Sequence, residues 1–288
     1  MYAVAGVSGN TGRAVAREIL GRGLPMRAIV RDPAKGEPWA AQGAEVAVAD
    51  LADPAALARA FRGAKCAYVL NPPAYTAEDL FSRAEEIAES IARAVDESGL
   101  ERLIVLSSIG AHLSSGNGII RTNSLFEKRL GSLRTAVTFL RPAYFMENWA
   151  WVAEPASRDG ILPSFLAPAD RAIPMVAVAD VGRVVADVMM EPGVSAGVIE
   201  LEGPGSFSPN DAAEAFSRAL GRNVEAVPIP ESRWPETLAS SGFSPRTIEA
   251  WTELFRAFNA GRIDFEGNVS ARRHGRVTLA EAVAEFVR

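Results

Sequence analysis

Short apolar runs alternate with longer amphipathic stretches along the first half of the chain. The runs are rich in Val, Ile and Leu and too short for helices, which is typical of parallel strands buried on both faces. The predicted strands lie at 2–7, 26–30, 44–49, 66–70, 102–107 and 136–141. Stretches between them have apolar residues at helical spacing. These predicted helices lie at 11–23, 53–63 and 77–99.

The predicted helices begin and end on recognisable signals. Asp53 followed by Pro54 is typical of a helix start, because Asp accepts hydrogen bonds from free amides and Pro fits the first turn. The longest helix ends at Gly99. Its apolar stripe consists of Leu80, Ala84, Ile87, Ile91 and Val95. Strands that alternate with helices predict an α/β protein with a doubly wound parallel sheet, a Rossmann-like fold.

The pattern changes after residue 150, where prolines and aromatic residues become frequent. We predict that residues 1–150 form the doubly wound domain. Residues 151–288 are predicted to form a smaller α/β lobe over the carboxyl edge of the sheet, where ligands bind in such folds. Because no low-complexity linker separates the two parts, we expect one compact body in which some carboxyl-terminal segments return to the sheet.

Composition and charge narrow the class of partner. The chain has 288 residues, 48% of them hydrophobic, and a net charge of −5, which argues against a general nucleic-acid binder. A single cysteine, Cys66, and two distant histidines argue against a disulfide and a zinc site. No apolar run is long enough to span a membrane, and the amino terminus leads into a glycine loop rather than a signal peptide. The expected location is therefore the cytoplasm.

The sequence GVSGNTG at residues 6–12 falls between the first predicted strand and the first predicted helix. Its first glycine suits a tight turn, the second allows close approach of a pyrophosphate, and the third allows close packing of helix and strand. Free amides at the helix start would then face phosphate oxygens. The candidate phosphate ligands are Gly6, Ser8, Gly9, Asn10, Thr11 and Gly12. The alternative is a glycine-rich turn needed only for packing.

The ends of the next three strands supply further candidates for cofactor binding. Arg31 follows the second strand, where an acidic residue would favour NAD and a guanidinium suits the 2′-phosphate of NADP. Lys35 would add positive charge, whereas Asp32 before a proline is typical of a turn. NADPH is therefore the predicted cofactor in preference to NADH, and a solvated strand-end charge is the alternative role for Arg31. The adenine and ribose sides are predicted at Asp50, Leu51, Asn71 and Pro72.

Several motifs together resemble one protein family. They are GVSGNTG, VRDPAK, VADLADP, VLSSIGAH and TFLRPAYFMENW, and the resemblance extends over most of the chain. The chain resembles the NmrA-like branch of the atypical short-chain dehydrogenases/reductases. The resemblance implies a Rossmann-like domain that binds NAD(P) and a small substrate lobe. Some family members are reductases of quinones, dyes or other small molecules, and others are redox-sensing regulators that act through a protein partner.

The resemblance also draws attention to a missing pair of residues. A typical short-chain dehydrogenase has a tyrosine and, four residues later, a lysine beside the nicotinamide. The segment NGIIRTNSLFEKRL has no tyrosine. If Glu127 matches the glutamate that follows the lysine in extended relatives, Ile119 and Asn123 take the two positions. In the other register, Ser124 and Lys128 take them. The first register is favoured and makes Asn123 a cofactor ligand.

Residues near the fifth and sixth strand ends are candidates for catalysis. Ser107, Ser108 and Tyr144 are the candidate catalytic residues, and strand-end capping or packing is the alternative for each. Pro142 is expected beside the cofactor. The predicted substrate pocket consists of His112, Tyr144, Phe145, Asn148, Trp149 and Phe165. A flat apolar pocket of this kind suits a quinone or another aromatic acceptor.

Two functions follow from these observations. The first is an NADPH-dependent oxidoreductase that acts on a small aromatic or quinone-like acceptor and needs no strong acid. The alternative is a non-catalytic NAD(P) sensor whose occupied and empty forms bind a protein partner differently. An open apolar pocket over the nicotinamide would favour catalysis, whereas a cofactor face filled by side chains would favour sensing.

Overall fold

A computed structural model of the chain describes residues 1–191 and 196–287. Its strands are β1 (Tyr2–Ala5), β2 (Met26–Val30), β3 (Glu45–Val48), β4 (Cys66–Leu70), β5 (Arg102–Leu106), β6 (Ala136–Pro142), β7 (Tyr144–Phe145), β8 (Ile161–Ser164), β9 (Ile173–Val176), β10 (Gly197–Glu202), β11 (Gly205–Phe207), β12 (Glu225–Pro228) and β13 (Ala271–His274). Its α-helices are α1 (Asn10–Gly21), α2 (Glu37–Ala40), α3 (Pro54–Phe61), α4 (Leu80–Ser98), α5 (Arg121–Leu130), α6 (Ala153–Asp159), α7 (Val178–Met190), α8 (Pro209–Leu220), α9 (Trp234–Ala239), α10 (Pro245–Asn259) and α11 (Leu279–Phe286).

The largest sheet in the described residues has eight strands in the order β13-β10-β6-β5-β4-β1-β2-β3. Every neighbouring pair in it is parallel. The chain proceeds outward from β1 to β2 and β3, then returns to β4 on the other side of β1. The carboxyl ends of β1 and β4 therefore flank the switch point, which is where doubly wound sheets bind ligands.

The predicted doubly wound sheet is confirmed. Each of the six predicted strands forms within two residues of its expected bounds, and helices α1, α3 and α4 occupy the three predicted helical stretches. Asp53 accepts hydrogen bonds from the amides of Ala55 and Ala56, as the helix-start signal predicts. Gly99 ends α4 in the left-handed conformation, with a φ of 70°.

Helices cover both faces of the sheet, and alternate strand residues face opposite layers. On one face, Leu103 and Val105 pack in the same cluster as Ile87 and Ile91 of α4. On the other face, Ile104 belongs to the cluster that includes residues of α1 and α7. Helix α4 contacts α3 and α5, and α1 contacts α7. This arrangement explains the uninterrupted apolar strands, since both faces are buried.

Segments beyond residue 150 contribute both to the sheet and to a separate cluster of small elements. Strands β10 and β13 extend the main sheet beyond β6, and α7 packs on α1. The remaining strands pair in two small sheets, β11-β9-β7 and β12-β8. A third apolar core lies among these strands and helices α8–α11. Within the described residues, no helix combines the length and apolar character needed to cross a bilayer.

Candidate active site

The glycine loop forms a tight turn between β1 and α1. Gly6 adopts a φ of 70°, a conformation that favours glycine, and its carbonyl oxygen accepts a hydrogen bond of 2.9 Å from the amide of Gly9. A Cβ atom at Gly12 would lie 2.3 Å from the Gly6 oxygen and 2.7 Å from the Ala5 oxygen. Helix α1 can therefore pack this closely against β1 only because residue 12 has no side chain.

The amino end of α1 carries unsatisfied backbone donors. Gly9 precedes the helix, no side chain of the described residues caps it, and its first turn has no acidic residue. Gly9, Asn10 and Thr11 line a cleft at this point. Free amides together with the positive end of a helix dipole bind anions, so the loop fits the pyrophosphate of a dinucleotide.

The end of β2 presents two unpaired cations. Arg31 and Lys35 are exposed, and neither side chain makes a hydrogen bond or ion pair within the part of the chain that the structure describes. Asp32 is engaged locally, since its side chain accepts a 3.0 Å hydrogen bond from the amide of Ala34. The turn expected at Asp32 is therefore present. Both guanidinium and ammonium groups remain available for an anionic group at this edge.

The ends of β3 and β4 have different environments. Asp50 accepts a 2.8 Å hydrogen bond from the amide of Ala52, and the Leu51 side chain is buried, so neither lines the cleft. Asn71 and Pro72 follow β4 and do line it. Of the predicted strand-end candidates, the structure therefore places only the β4 pair at the cleft, whereas Asp50 acts in a local turn.

The cleft has a volume of about 440 Å³ and opens at the carboxyl edge of the sheet. One wall follows the ends of β4, β5 and β6, where the predicted residues Ser107, Ser108 and Pro142 lie. Much of the remaining lining is aromatic and forms what we call the aromatic wall. Its rings belong to Tyr75, Tyr144, Phe145, Trp151, Trp251 and Phe258. The cleft thus joins the glycine loop to an apolar space at the same edge.

The structure distinguishes the two registers proposed for the missing dyad. Ile119 and Asn123 both line the cleft. Ser124 instead donates a 2.7 Å hydrogen bond to the carbonyl oxygen of Ala111, and Lys128 is exposed outside the cleft. The first register therefore places both of its positions at the cleft, and the second places neither there. In that first register, the tyrosine and lysine positions of a typical short-chain dehydrogenase hold an aliphatic side chain and a neutral amide.

The two serines at the end of β5 already have hydrogen-bond acceptors. Ser107 is buried, and its hydroxyl donates to Oε1 of Glu127 at 2.5 Å. Ser108 is partly buried and donates to the carbonyl oxygen of Ile109 at 3.0 Å. While both bonds persist, the two hydroxyl oxygens can accept hydrogen bonds from a ligand but cannot donate one. Proton transfer from either serine would first require the loss of an existing bond.

Tyr144 is in place to contact a ligand but is a weak acid. It begins β7, lines the cleft, and packs edge-on against Phe258 with ring centroids 5.6 Å apart. Burial raises the pKa of Tyr144 to about 12, although the neighbouring Asn148 side chain opposes this shift. The phenol is therefore neutral at physiological pH and available as a hydrogen-bond donor.

A buried carboxyl group also lines the cleft and was not predicted. Glu147 accepts a 2.8 Å hydrogen bond from the amide of Val178 through Oε1. Its Oε2 is buried and has no hydrogen-bond partner among the described residues. Burial raises the pKa of Glu147, and the negative charge of Asp180 adds to that shift. Its position next to Asn148 in the motif MENW was the available sequence signal.

Three predicted pocket residues lie outside the cleft lining. Phe165 stacks on Phe255 with ring centroids 4.5 Å apart and therefore belongs to the packing of the third core. Trp149 is buried in the same core, and His112 is partly buried in the loop after β5. Phe145 and Asn148, in contrast, do line the cleft.

The sheet order, the glycine loop and the adjoining cleft define a Rossmann-like α/β protein with a dinucleotide-type phosphate site. Comparison with known families agrees with this class. The chain belongs to the NmrA-like family, whose model matches residues 2–274. The predicted family resemblance is therefore confirmed.

Relatives of known activity match the chain over nearly its full length. The NAD(P)H azoreductase of Xenophilus azovorans is 26% identical over 100% of this chain and 97% of its own. The crystal structure of the NADPH-dependent quinone oxidoreductase of Escherichia coli, complexed with NADPH, is 26% identical, covers 100% of both chains and has a TM-score of 0.81. The triphenylmethane reductase of Citrobacter sp. is 20% identical, covers 99% of both chains and also has a TM-score of 0.81, which shows a shared fold.

Proposed function

We propose that the protein is an NADPH-dependent oxidoreductase that reduces small aromatic or quinone-like acceptors. The observation that carries this proposal is the cleft itself. It begins at the phosphate loop and continues into an apolar space that side chains have left open, with a total volume of about 440 Å³. The azoreductase and quinone oxidoreductase relatives, which align along the whole chain, support the same reaction class.

The residues present fit a bound NADP(H). The amides at the start of α1 would hold the pyrophosphate, and Arg31 with Lys35 would face the 2′-phosphate. Asn71, Asn123 and Pro142 would lie along the ribose and nicotinamide side, since all three line the cleft. When bound, NADPH supplies a hydride to an acceptor in the apolar part of the cleft. Strongly held phosphates and a defined cleft would position the two reactants for that transfer.

The aromatic wall favours flat acceptors. Tyr75 and Trp251 have ring centroids 5.9 Å apart, and Trp151 lies at the mouth with 65% of its surface exposed. Aromatic faces that are already grouped lose little entropy when they stack on a planar ligand. Ile119 and Asn123 take the place of the tyrosine–lysine pair that a general ketone reductase uses to protonate its substrate. Because conjugated acceptors need no such strong acid, we restrict the proposed substrates to them.

The sequence also suggested a dinucleotide sensor without catalysis. That alternative predicted a cofactor face filled by side chains, and the open cleft favours catalysis instead. We therefore propose a small-molecule acceptor, rather than a protein, as the binding partner of this cleft.

Oxidation of NADPH by the purified protein tests the proposal directly. Absorbance of NADPH is followed with a panel of benzoquinones, naphthoquinones, azo dyes and cationic dyes, and with NADH in parallel. We expect turnover of at least one planar conjugated acceptor and a higher kcat/KM with NADPH. Tight NADPH binding by calorimetry with no turnover of any acceptor would refute the enzyme and favour the sensor.

A further inference from the structure

We propose that Glu147 is the proton donor when the acceptor is reduced, an inference that rests on the proposed function. Glu147 lies in the short helical turn Met146–Val152, directly after β7, and it lines the same cleft as Tyr144 and Asn123. Among the described residues that line the cleft, Glu147 is the one with a carboxyl group. Reduction of a quinone or an azo group by one hydride requires one proton, and the proposed function leaves its source open.

The two oxygens of Glu147 have different surroundings. Oε1 accepts the amide hydrogen of Val178 at 2.8 Å, which fixes the carboxyl group at the amino end of α7. Oε2 is buried and unpartnered among the described residues. Since an amide N–H bonds to an oxygen that carries no proton, a proton on the carboxyl group resides on Oε2. The fixed oxygen orients the group, and Oε2, which is shielded from bulk water, is the oxygen that would carry the proton for transfer.

Neighbouring groups favour the protonated form. Burial disfavours the carboxylate and raises the pKa of Glu147, and the buried Asp180 on α7 adds repulsion. The Val178 amide opposes this shift but does not cancel it. The other titratable groups of the cleft are Tyr75 and Tyr144, and burial raises the pKa of both. Glu147 is therefore the strongest acid in the cleft, with a pKa shifted towards neutrality, as general acids require.

The remaining polar groups of the cleft are poorer donors. The hydroxyl hydrogen of Ser107 is used by Glu127, and that of Ser108 is used by the carbonyl oxygen of Ile109. Asn123 takes the lysine position of a typical short-chain dehydrogenase in the favoured register, and a neutral amide cannot release a proton at physiological pH. The missing dyad thus has a functional substitute on a different element, the turn after β7.

The proposed step balances in atoms and electrons. Hydride addition reduces the acceptor by two electrons and leaves an electron pair on its oxygen or nitrogen. That atom forms a bond to the proton of Glu147 while the Oε2–H bond breaks, so the acceptor gains two hydrogens and Glu147 becomes a carboxylate. Water at the cleft mouth then returns one proton to Glu147. A cationic triarylmethane dye differs, because hydride neutralises its central carbon and no proton is needed.

Glu147→Gln tests the proposal, because the amide oxygen of Gln can still accept the Val178 hydrogen. We expect kcat with a quinone or azo acceptor to fall about 10²-fold, the usual loss when a general acid is removed. We expect kcat with a cationic triarylmethane dye to stay within about twofold. Glu154→Gln, an exposed position on α6, is the matched control and should leave both rates unchanged.

The comparison of acceptors separates proton transfer from a structural role. An equal fall of kcat with both acceptors would overturn the proposal, as would unchanged kcat with quinone. If the wild-type protein turns over the cationic dye but no quinone or azo compound, the reductase stands and the proton donor fails. If it turns over no acceptor at all, the proposed function itself fails.

A spectroscopic readout is independent of turnover. Infrared difference spectra between pH 5 and pH 8 should contain a carbonyl band of a buried protonated carboxyl group, and Glu147→Gln should remove it. The pH at which the band disappears should match the upper pH limit of kcat with quinone. Persistence of the band in the variant would assign it to another group and contradict the proposal.

Discussion

Arg141 and Glu127 form a buried two-point ion pair below the cleft. Nε and Nη2 of Arg141 lie 2.8 Å and 2.6 Å from the two carboxylate oxygens of Glu127. Arg141 also bonds to Glu266 at 2.5 Å, and Glu127 accepts the Ser107 hydroxyl. The pair therefore ties the ends of β5 and β6 to α5 and to the segment before β13, so it fixes the sheet edge on which the cleft is built.

Glu127→Gln should destabilise the fold, because it leaves the buried Arg141 charge without its main counter-charge. We expect the free energy of unfolding in urea to fall by about 3 kcal/mol, as for other broken buried pairs. Glu89→Gln is the control, since Glu89 pairs with Arg129 at 2.5 Å on the exposed side of α4 and should change little. Equal effects of the two variants would mean that the buried pair contributes no more than a surface pair.

Gly12→Ala should disrupt the loop, because the added Cβ would lie 2.3 Å from the Gly6 oxygen. We expect a loss of about 2 kcal/mol in unfolding free energy, or a comparable loss in NADPH affinity if the loop shifts instead. Gly21→Ala in the same helix is the control, since a Cβ atom at that position would have no neighbouring atom within 4 Å. It should be neutral or slightly stabilising. Urea titration and calorimetry with NADPH distinguish the two results.

Arg31→Ala should weaken binding of NADPH about tenfold, equivalent to about 1.4 kcal/mol, and leave NADH affinity unchanged. The reason is that the exposed and unpaired guanidinium would meet only the 2′-phosphate. Arg134→Ala, an exposed arginine before β6 at the opposite edge of the sheet, should alter neither affinity. A parallel loss for both cofactors would show that Arg31 does not distinguish them.

Trp151→Ala should raise KM for planar acceptors several-fold while the protein remains stable. The Trp151 side chain is 65% exposed at the cleft mouth, and loss of one aromatic contact costs about 1 kcal/mol. Phe165→Ala should instead lower stability and leave KM nearly unchanged. The Phe165 ring stacks on Phe255 in the third core, so its loss costs about 2 kcal/mol of unfolding free energy or more. Thermal unfolding and steady-state kinetics on both variants check this contrast.

Glu147 should make stability depend on pH in a defined direction. Its folded-state pKa is raised, so its contribution to stability is fully present below its unfolded pKa of about 4.3 and is lost as pH rises through the folded value. In Glu147→Gln the side chain does not titrate, so the variant lacks this contribution to the pH dependence of stability. The Tm of the variant relative to wild type should therefore increase between pH 5 and pH 8. A relative decrease would mean that the native state favours the carboxylate.

The central strands of the first half were predictable because they are buried on both faces, whereas the edge strand β3 is partly exposed. Segments such as 66–70 and 103–106 are then continuous apolar runs that no other element resembles at that length. The phosphate loop was predictable for a similar reason, since strand, turn and helix adjoin in the chain. Local sequence is sufficient when the contacts are local.

The acceptor side of the cleft depends on distant contacts and was largely missed. Trp251 and Phe258 belong to an amphipathic helix, and their spacing predicts burial without indicating what they face. Glu147 finds its amide partner at Val178, on another element. Phe165 looked suited to the pocket by composition, yet it packs in the core. Aromatic residues fill cores and line clefts equally well, so only the tertiary arrangement separates them.

The two sides of the cleft also arise at different moments of synthesis. The glycine loop ends at Gly12, whereas α10 begins about 230 residues later. At the usual elongation rates this separation corresponds to roughly 10 to 50 s. Throughout that interval the nascent chain carries the phosphate-binding loop, but its aromatic wall lacks the rings of Trp251 and Phe258. Premature termination before α10 would therefore yield a chain that retains the loop sequence and has an incomplete surface for its acceptor.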